Sequence, residues 1–231
     1  MNKKLSIIIP VFNEEKTIKD AIRKVLSQEI DGWQKEIIVV NDGSTDNTQK
    51  ELENFLGLIS IARHNKNLGK GTALRSGFAK CSGNAIIIQD ADLEYSPSDW
   101  PAMLRKLEEN PNITAVFGSR ELNNKRKGYF LCVLGVRLLT FLVNFLFHSK
   151  LTDVYTCYKL MRADFIKNMK LESNGFEIEA EITCKILKDG GAIKEVPISY
   201  FPRTYKQGKH IRIKDEFLGI KTIFKCWFFK F

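Results

Sequence analysis

Asp90 and Asp92 flank Ala91 directly after the apolar run 85–88, and Glu94 follows two residues later. Carboxylates at i and i+2 beside the end of a buried run suit an oxygen-seeking divalent cation that bridges a diphosphate. Mg2+ and Mn2+ take few protein ligands and fill the rest of their shell with water and phosphate oxygens. Asp90, Asp92 and Glu94 are therefore the candidate metal ligands, with Mg2+ or Mn2+ as the cofactor. A single D-x-D is weak evidence, because any acidic turn produces one. Here it is third in a series. Ile7–Pro10 runs into Val11-Phe12-Asn13-Glu14, and Glu36–Val40 runs into Asn41-Asp42-Gly43-Ser44. Three apolar runs that each end in an acid or amide cluster call for a shared cause more than three unrelated turns do.

Each cluster also has a plainer reading. Phe12 can stack on a base while Asn13 or Glu14 accepts hydrogen bonds from a nucleoside; a helix N-terminus favours the same residues. Asp42 can meet a base or ribose edge; Asn-Asp-Gly-Ser is also ideal turn chemistry. Asn67-Leu68-Gly69-Lys70-Gly71 opens a helix at a glycine turn, where an anion is favoured, but its spacing is not that of a P-loop. Lys70 is a phosphate contact or a turn lysine with equal weight. Arg120, ending the run 113–118, is placed to grip a phosphate through its guanidinium. Lys125, Arg126 and Lys127 follow, and a solvated basic loop accounts for Lys125 and Lys127.

Alternating period-2 and period-3.6 patterns position these residues. Strands are expected over 5–10, 36–40, 58–62, 85–89 and 113–118, and helices over 15–30, 46–56, 70–81 and 98–110. That alternation predicts an α/β fold with a mostly parallel Rossmann-like sheet covered by helices on both faces. Ligands in such sheets sit at the carboxyl ends of the strands, where Asn13, Asp42, Asp90 and Asp92 all fall. In the second half, a strand over 155–162, a helix over 176–187 and a strand over 192–201 are expected.

The chain has 231 residues, and 36 basic against 27 acidic side chains give a formal charge of +9. This length fits one large domain, expected over 1–216, with an amphipathic membrane-associating segment over 217–231. The charge suggests a polyanionic partner: nucleic acid, an anionic membrane or phosphorylated substrates. No helix-turn-helix or base-stacking signature supports nucleic acid. Five cysteines without C-x-x-C spacing read as reduced, buried thiols in a cytosolic protein. The first strand begins directly after residue 4, and no signal peptide is expected.

The stretch 129–148 is long enough to span a bilayer, at about twenty residues. Arg137, Thr140, Asn144 and His148, however, recur every three or four positions and form one polar stripe on a helix. A span would have to bury Arg137. A helix lying in the membrane interface turns the stripe toward protein or headgroups, and that reading is preferred over a spanning or core helix. The tail 217–231 mixes Trp227 and five phenylalanines with Lys221, Lys225 and Lys230, a composition suited to a membrane surface.

V-F-N-E-E, N-D-G-S-T-D, N-L-G-K-G-T-A-L-R-S-G, D-A-D-L-E and G-S-R together resemble the family-two glycosyltransferases of the GT-A fold, in their dolichyl-phosphate mannose/glucose synthase branch. L-T-D-V-Y-T-C-Y-K-L, G-F-E-I-E-A-E-I-T-C-K-I and Y-F-P-R-T-Y-K-Q-G-K-H-I-R-I-K-D-E extend the resemblance over residues 5–217, although Cys157 stands where glycine is usual and Glu216 where Asp-Gly is common. The resemblance implies inverting transfer of a sugar from a GDP- or UDP-linked hexose to a polyprenyl phosphate, by a protein peripheral on the cytoplasmic face of a membrane. It implies that Pro10, Phe12, Glu14 and Asp42 hold the nucleoside, and that Asp90 and Asp92 serve nucleotide and metal with Glu94 completing the shell. It also implies that Arg120, Arg137 and Thr140 meet the lipid phosphate while Arg203 and Lys209 clamp the diphosphate. Anchoring would come from interfacial helices, a membrane-protein partner or a second copy of the chain.

A phosphate monoester is already ionised near neutral pH, its second pKa being about 6, so this acceptor needs no base. The alternative is a family-two enzyme acting on a hydroxyl of a glycan or lipid-linked saccharide. It would draw a base from Glu177, Glu179 or Glu181; helix surface is the other reading of these residues, and their i, i+2, i+4 spacing does not put all three on one helical face.

Overall fold

The computed structural model describes residues 3–122, 130–203 and 213–229. Its centre is β1 (Lys3–Val11), in which Ile7 and Ile9 enter one core and Ile8 the other. A strand apolar on both faces belongs inside a sheet covered on both sides. β1 accordingly pairs in parallel with β2 (Trp33–Asn41) and β4 (Ala85–Ile88), and β2 pairs with β3 (Ser60–Arg63). β5 (Ile113–Ser119), β6 (Lys159–Arg162) and β7 (Ala192–Pro197) complete a seven-stranded sheet in the order β3-β2-β1-β4-β6-β5-β7. Only β6 runs antiparallel to its neighbours.

The helices α1 (Ile18–Ser27), α2 (Thr48–Glu53), α3 (Lys70–Phe78) and α4 (Trp100–Glu108) alternate with the first five strands. α1 and α4 place Ile18, Ile22, Val25, Trp100, Met103, Leu104 and Leu107 on the Ile7–Ile9 face. α3 covers the opposite face with Ala73, Leu74 and Phe78, joined by Ile178, Ile182 and Ile186 of α7 (Ile178–Lys188). Each such Val, Leu, Ile, Phe or Met contributes roughly 1.5–3 kcal/mol when fully buried. α3 lies so close to β1 that a methyl group on Gly77 would collide with Ile8.

The remaining helices are α5 (Phe130–Phe147), α6 (Ala163–Asn168) and α8 (Ile213–Phe228). α5, α7 and α8 share a third core of Leu139, Val143, Val154, Ala180, Cys184, Ile223 and Cys226. None of the described helices is long and apolar enough to cross a membrane. α8 begins at Ile213, so the expected boundary at residue 217 falls within one helix.

Most expected helices, and the strands expected over 155–162 and 192–201, are shorter than their patterns, and two show why. α1 starts at Ile18 rather than Glu15, because residues 14–15 are tied sideways: Glu15 N donates to Asp46 Oδ2 at 3.1 Å and Glu15 Oε2 accepts from Asn47 N at 2.9 Å. The strand expected from Tyr155 begins only at Lys159. The Val154 and Thr156 carbonyls that a ladder would use accept instead from the buried Lys159 ammonium.

Candidate active site

The chain passes from β1 outward to β3, then returns to β4 on the other side of β1. Strand order reverses between β1 and β4, and a crevice opens at their carboxyl ends. A cavity of about 450 Å³ lies here, lined by Pro10, Phe12, Glu14, Asp42, Gly69, Lys70, Asp90, Asp92, Phe176 and Asp215. Pro10, Phe12, Glu14, Asp42, Lys70 and Asp90, expected to bind the nucleotide, all line this one space.

Asp42 works through its neighbours. Its Oδ1 lies 2.6 Å from His64 Nδ1 and accepts from Leu68 N at 3.0 Å, while Oδ2 accepts from Gly69 N at 2.8 Å. Both oxygens are thus engaged in holding the 64–69 loop against the cavity, and Asp42 shapes the wall rather than presenting a free carboxylate. The loop ends at Gly69, whose φ of +94° L side chains rarely adopt and whose missing Cβ would strike the Asn174 carbonyl. Asn13 (φ +52°) accepts from Thr45 N at 2.8 Å and so binds the loops after β1 and β2 together. The sequence reading passed over His64, since a lone histidine after a short strand carries no distinguishing pattern.

The acids face cations. Lys70 Nζ lies 2.8 Å from Asp90 Oδ1 and 3.2 Å from Glu179 Oε1, and Glu179 Oε2 lies 2.8 Å from Lys159 Nζ. Burial pulls the Lys70 ammonium down, but Asp90, Cys157 and Glu179 outweigh it and hold the group well above its ordinary value. Lys70 is therefore a charged wall residue with an acid on either side, not a simple turn lysine.

Asp92 accepts from Glu94 N at 3.0 Å, and its Oδ2 is 3.3 Å from Arg203 Nη2. Burial, then the nearby charges of Asp90 and Glu94, push its carboxyl up to about 7 against the opposing pull of Arg203. Leu93 between them sits at φ +64°, a left-handed backbone that a branched side chain rarely adopts and that the motif must hold against its strain. Glu94 accepts from Tyr200 OH and from Arg203 N, both at 2.8 Å. Arg203 closes the group with Nη1 and Nη2 on Glu14 at 3.0 and 2.8 Å.

Among the described residues no three His, Cys, Asp or Glu side chains converge on a metal position. The expected shell of Asp90, Asp92 and Glu94 is therefore not assembled: Asp90 is drawn to Lys70, and Glu94 to Tyr200 and Arg203. The donor set still fits a hard cation held in the sparser way. Asp92 offers only oxygen donors with Asp90 beside it, and one or two carboxylates plus phosphate oxygens suffice for Mg2+.

The residues expected to meet an acceptor phosphate lie apart from this cavity. Arg120 is buried, with Nε and Nη2 forked onto Asp153 at 2.7 and 2.8 Å and its guanidinium over the Tyr200 ring. That fork takes two of its five N–H donors. Thr140 is also buried, and its Oγ1 accepts from Val154 N. Arg137 alone is exposed, paired with Glu121 at 2.9 Å. Lys209, with Lys125, Arg126 and Lys127, lies outside the described residues.

Glu179 and Glu181 are buried and Glu177 is half-buried, so the three are not solvated helix surface. Glu177 Oε1 accepts from Gly175 N at 3.0 Å. Glu181 accepts from Glu172 N and Ser173 N at 2.9 and 2.8 Å and pairs with Lys185. Glu179 is buried between two lysines. Glu177 and Glu181 fix the 172–175 loop, whose Asn174 carbonyl accepts from Gly71 N at 2.7 Å at the start of α3.

The sequence profile of Glycosyl transferase family 2 matches residues 6–169. The chain belongs to that family. It is 34% identical over 206 residues to an uncharacterized protein of Methanocaldococcus jannaschii, covering 83% of this chain and 86% of that one. It is 30% identical over 174 residues to the dodecaprenyl-phosphate galacturonate synthase of Rhizobium johnstonii, covering 72% of this chain and 50% of the relative. That second identity supports the polyprenyl-phosphate sugar synthase branch of family 2, although the matched part is half of the relative's length. Among solved structures, glucosyl-3-phosphoglycerate synthase from Mycobacterium tuberculosis with UDP superposes at a TM-score of 0.77 and 18% identity, over 97% of this chain and 80% of that one. The same enzyme with Mn2+ and UDP-glucose gives 0.77 and 18%, over 97% and 79%. The fold of this family-2 glycosyltransferase is GT-A.

Proposed function

We propose that this glycosyltransferase moves a hexose from a GDP- or UDP-linked donor to a polyprenyl phosphate, with inversion, at the cytoplasmic face of a membrane. The observation that carries the donor half is the meeting of Pro10, Phe12, Glu14, Asp42, Lys70, Asp90 and Asp92 around one cavity at the switch point of the sheet. Phe12 and Pro10 offer apolar surface to a base, and Glu14 an acceptor to the ribose. Asp42 and His64 keep the 64–69 loop in register with them. Asp92, with Asp90 beside it, would hold Mg2+ or Mn2+, which when bound supplies Lewis-acid neutralisation of the leaving diphosphate. Lys70 and Arg203 add fixed positive charge where negative charge builds up as the glycosidic bond breaks, and preorganised charge of that kind is usually the largest catalytic term.

A phosphate acceptor is favoured over a hydroxyl by the state of α7. Both oxygens of Glu179 and Glu181 are spent on lysines or backbone amides, and Glu177 holds the Asn174 and Gly175 amides through Oε1, so a hydroxyl-directed mechanism is left at α7 with the buried Glu177 Oε2 as its one unpartnered carboxylate oxygen. A phosphate arrives ionised. Arg137 is the acceptor contact we favour, since an exposed ion pair such as that with Glu121 is worth little and opens readily. Arg120 and Thr140 would support that region from beneath.

The membrane half rests on α5 and α8. Thr140 and Asn144 turn inward, where Asn144 Nδ2 donates to Leu151 O at 2.7 Å, while Leu134, Leu138, Phe141 and Phe145 form an outward apolar row. Phe217, Phe224, Trp227 and Phe228 of α8 are exposed as well. This reading supports a peripheral protein that lays α5 and α8 against lipid.

The test is transfer from radiolabelled UDP- and GDP-hexoses onto undecaprenyl and dolichyl phosphate in detergent, with Mg2+ or Mn2+. A chloroform-extractable, acid-labile sugar lipid is expected. Release of nucleoside diphosphate only when glycans are supplied would overturn the phosphate acceptor.

A further inference from the structure

Arg203 occupies a position that the donor-binding reading leaves unexplained. A residue expected to clamp a diphosphate lies instead among the carboxylates. Nη1 and Nη2 span both oxygens of Glu14, Nη2 is 3.3 Å from Asp92 Oδ2, Nε is 3.9 Å from Glu94 Oε1, and the backbone N donates to that same Glu94 oxygen. The guanidinium thus draws together acids that come from the loops after two different strands. Without a cation at this point, Glu14, Asp92 and Glu94 would repel one another in a poorly solvated cleft.

We infer that Arg203 is the resident counter-cation of the acidic site, and that a divalent metal enters together with the donor diphosphate rather than alone. The inference rests on the donor-site reading above and adds a binding order to it. A free metal ion would meet a guanidinium already paired with Asp92, and two cations would then compete for one carboxylate face. A metal–diphosphate complex removes the conflict. Its phosphate oxygens give the guanidinium a planar, bidentate partner of the kind that arginine matches best, and Asp92 is released to the metal. One residue then holds the empty site together and grips the leaving group in the loaded one.

Opposite effects on two equilibria follow when Arg203 is replaced. Free Mn2+ is titrated by electron paramagnetic resonance into wild-type protein and into Arg203→Gln, each alone and with UDP or GDP. Without nucleotide, Arg203→Gln is expected to bind Mn2+ about tenfold or more tightly than wild type, since one repelling charge is gone at contact range. With nucleotide the order inverts, and wild type holds the Mn2+–nucleotide complex more tightly. Equal Mn2+ affinity of the two proteins without nucleotide, with the Mn2+–nucleotide complex still forming, overturns the counter-cation while leaving the donor site standing. Failure of wild type to bind Mn2+ with either nucleotide overturns both. Wild type alone also decides: binding of Mn2+ as tightly without nucleotide as with it overturns the inference whatever the variant's folding.

Discussion

Asp92 carries the sharpest expectation at the level of single residues. Asp92→Asn should lower transfer on the order of 10²–10³-fold, the scale of losing a preorganised charge at a reacting centre, with binding of Mn2+–nucleotide lost alongside. The same residue governs a pH effect in the metal-free protein. Its carboxyl stands near 7 when folded against an ordinary value of 3.8, raised by burial and then by Asp90 and Glu94. Between those values the folded state holds a proton that the unfolded state has released, so stability falls as pH rises across that window. Melting temperature should decline from pH 4.5 to 7 in wild type, and more shallowly in Asp92→Asn. Equal slopes would mean that Asp92 is not the titrating group. The acids of the D-x-D could be read from sequence because each follows an apolar run. Their counterions could not: Lys70 and Arg203 reach them from 20 and 111 positions away, and nothing in local spacing announces such pairs.

Among the elements, α7 departs most from what its sequence suggested. Its glutamates read as a candidate base or as helix surface, yet Glu179 and Lys159 are fully buried against each other. Removing one partner of a buried pair leaves the other charge uncompensated, a cost of roughly 3–5 kcal/mol, whereas replacing both with apolar groups is often neutral. Glu179→Gln should therefore be strongly destabilised in urea unfolding, and Glu179→Gln with Lys159→Met should recover most of the loss. A double variant as unstable as the single one would show that packing, not charge, sets the penalty. The strands around the site were legible because each is a short apolar run between turn residues. β6 was legible too, but its start was not, because Thr156 within the expected strand gives its carbonyl to Lys159 instead of to a neighbouring strand. α5 was legible in pattern, and the structure supplies its sense: Thr140 and Asn144 inward, and the row Leu134, Leu138, Phe141 and Phe145 outward. Phe141→Ser with Phe145→Ser should reduce sedimentation with anionic vesicles while leaving Mn2+–nucleotide binding unchanged. Unaltered sedimentation would remove α5 from the membrane contact.

Across the whole molecule, the question is whether α8 is an appendage or part of the domain. Its sequence reads as a detachable amphipathic tail, and deleting 217–231 would be the natural test. The structure makes that deletion ambiguous. Ile223 and Cys226 are buried in the core that α8 shares with α5 and α7, and Lys188 of α7 donates to the Cys226, Trp227 and Phe229 carbonyls. Truncation would expose Leu139, Val143 and Cys184, so any release from membranes could equally reflect collapse of that layer. Substitution on the outward side separates the two roles. Trp227→Ser with Phe228→Ser removes exposed aromatic area and should leave melting temperature nearly unchanged, because surface changes away from special features stay within about 0.5 kcal/mol. Ile223→Ala, by contrast, should cost about 2–5 kcal/mol through the cavity it leaves. If α8 both packs and docks, the first variant loses vesicle binding at full stability and the second loses stability first. Loss of vesicle binding in Ile223→Ala at undiminished stability, with none in the aromatic pair, would place the lipid contact on the face that the structure buries.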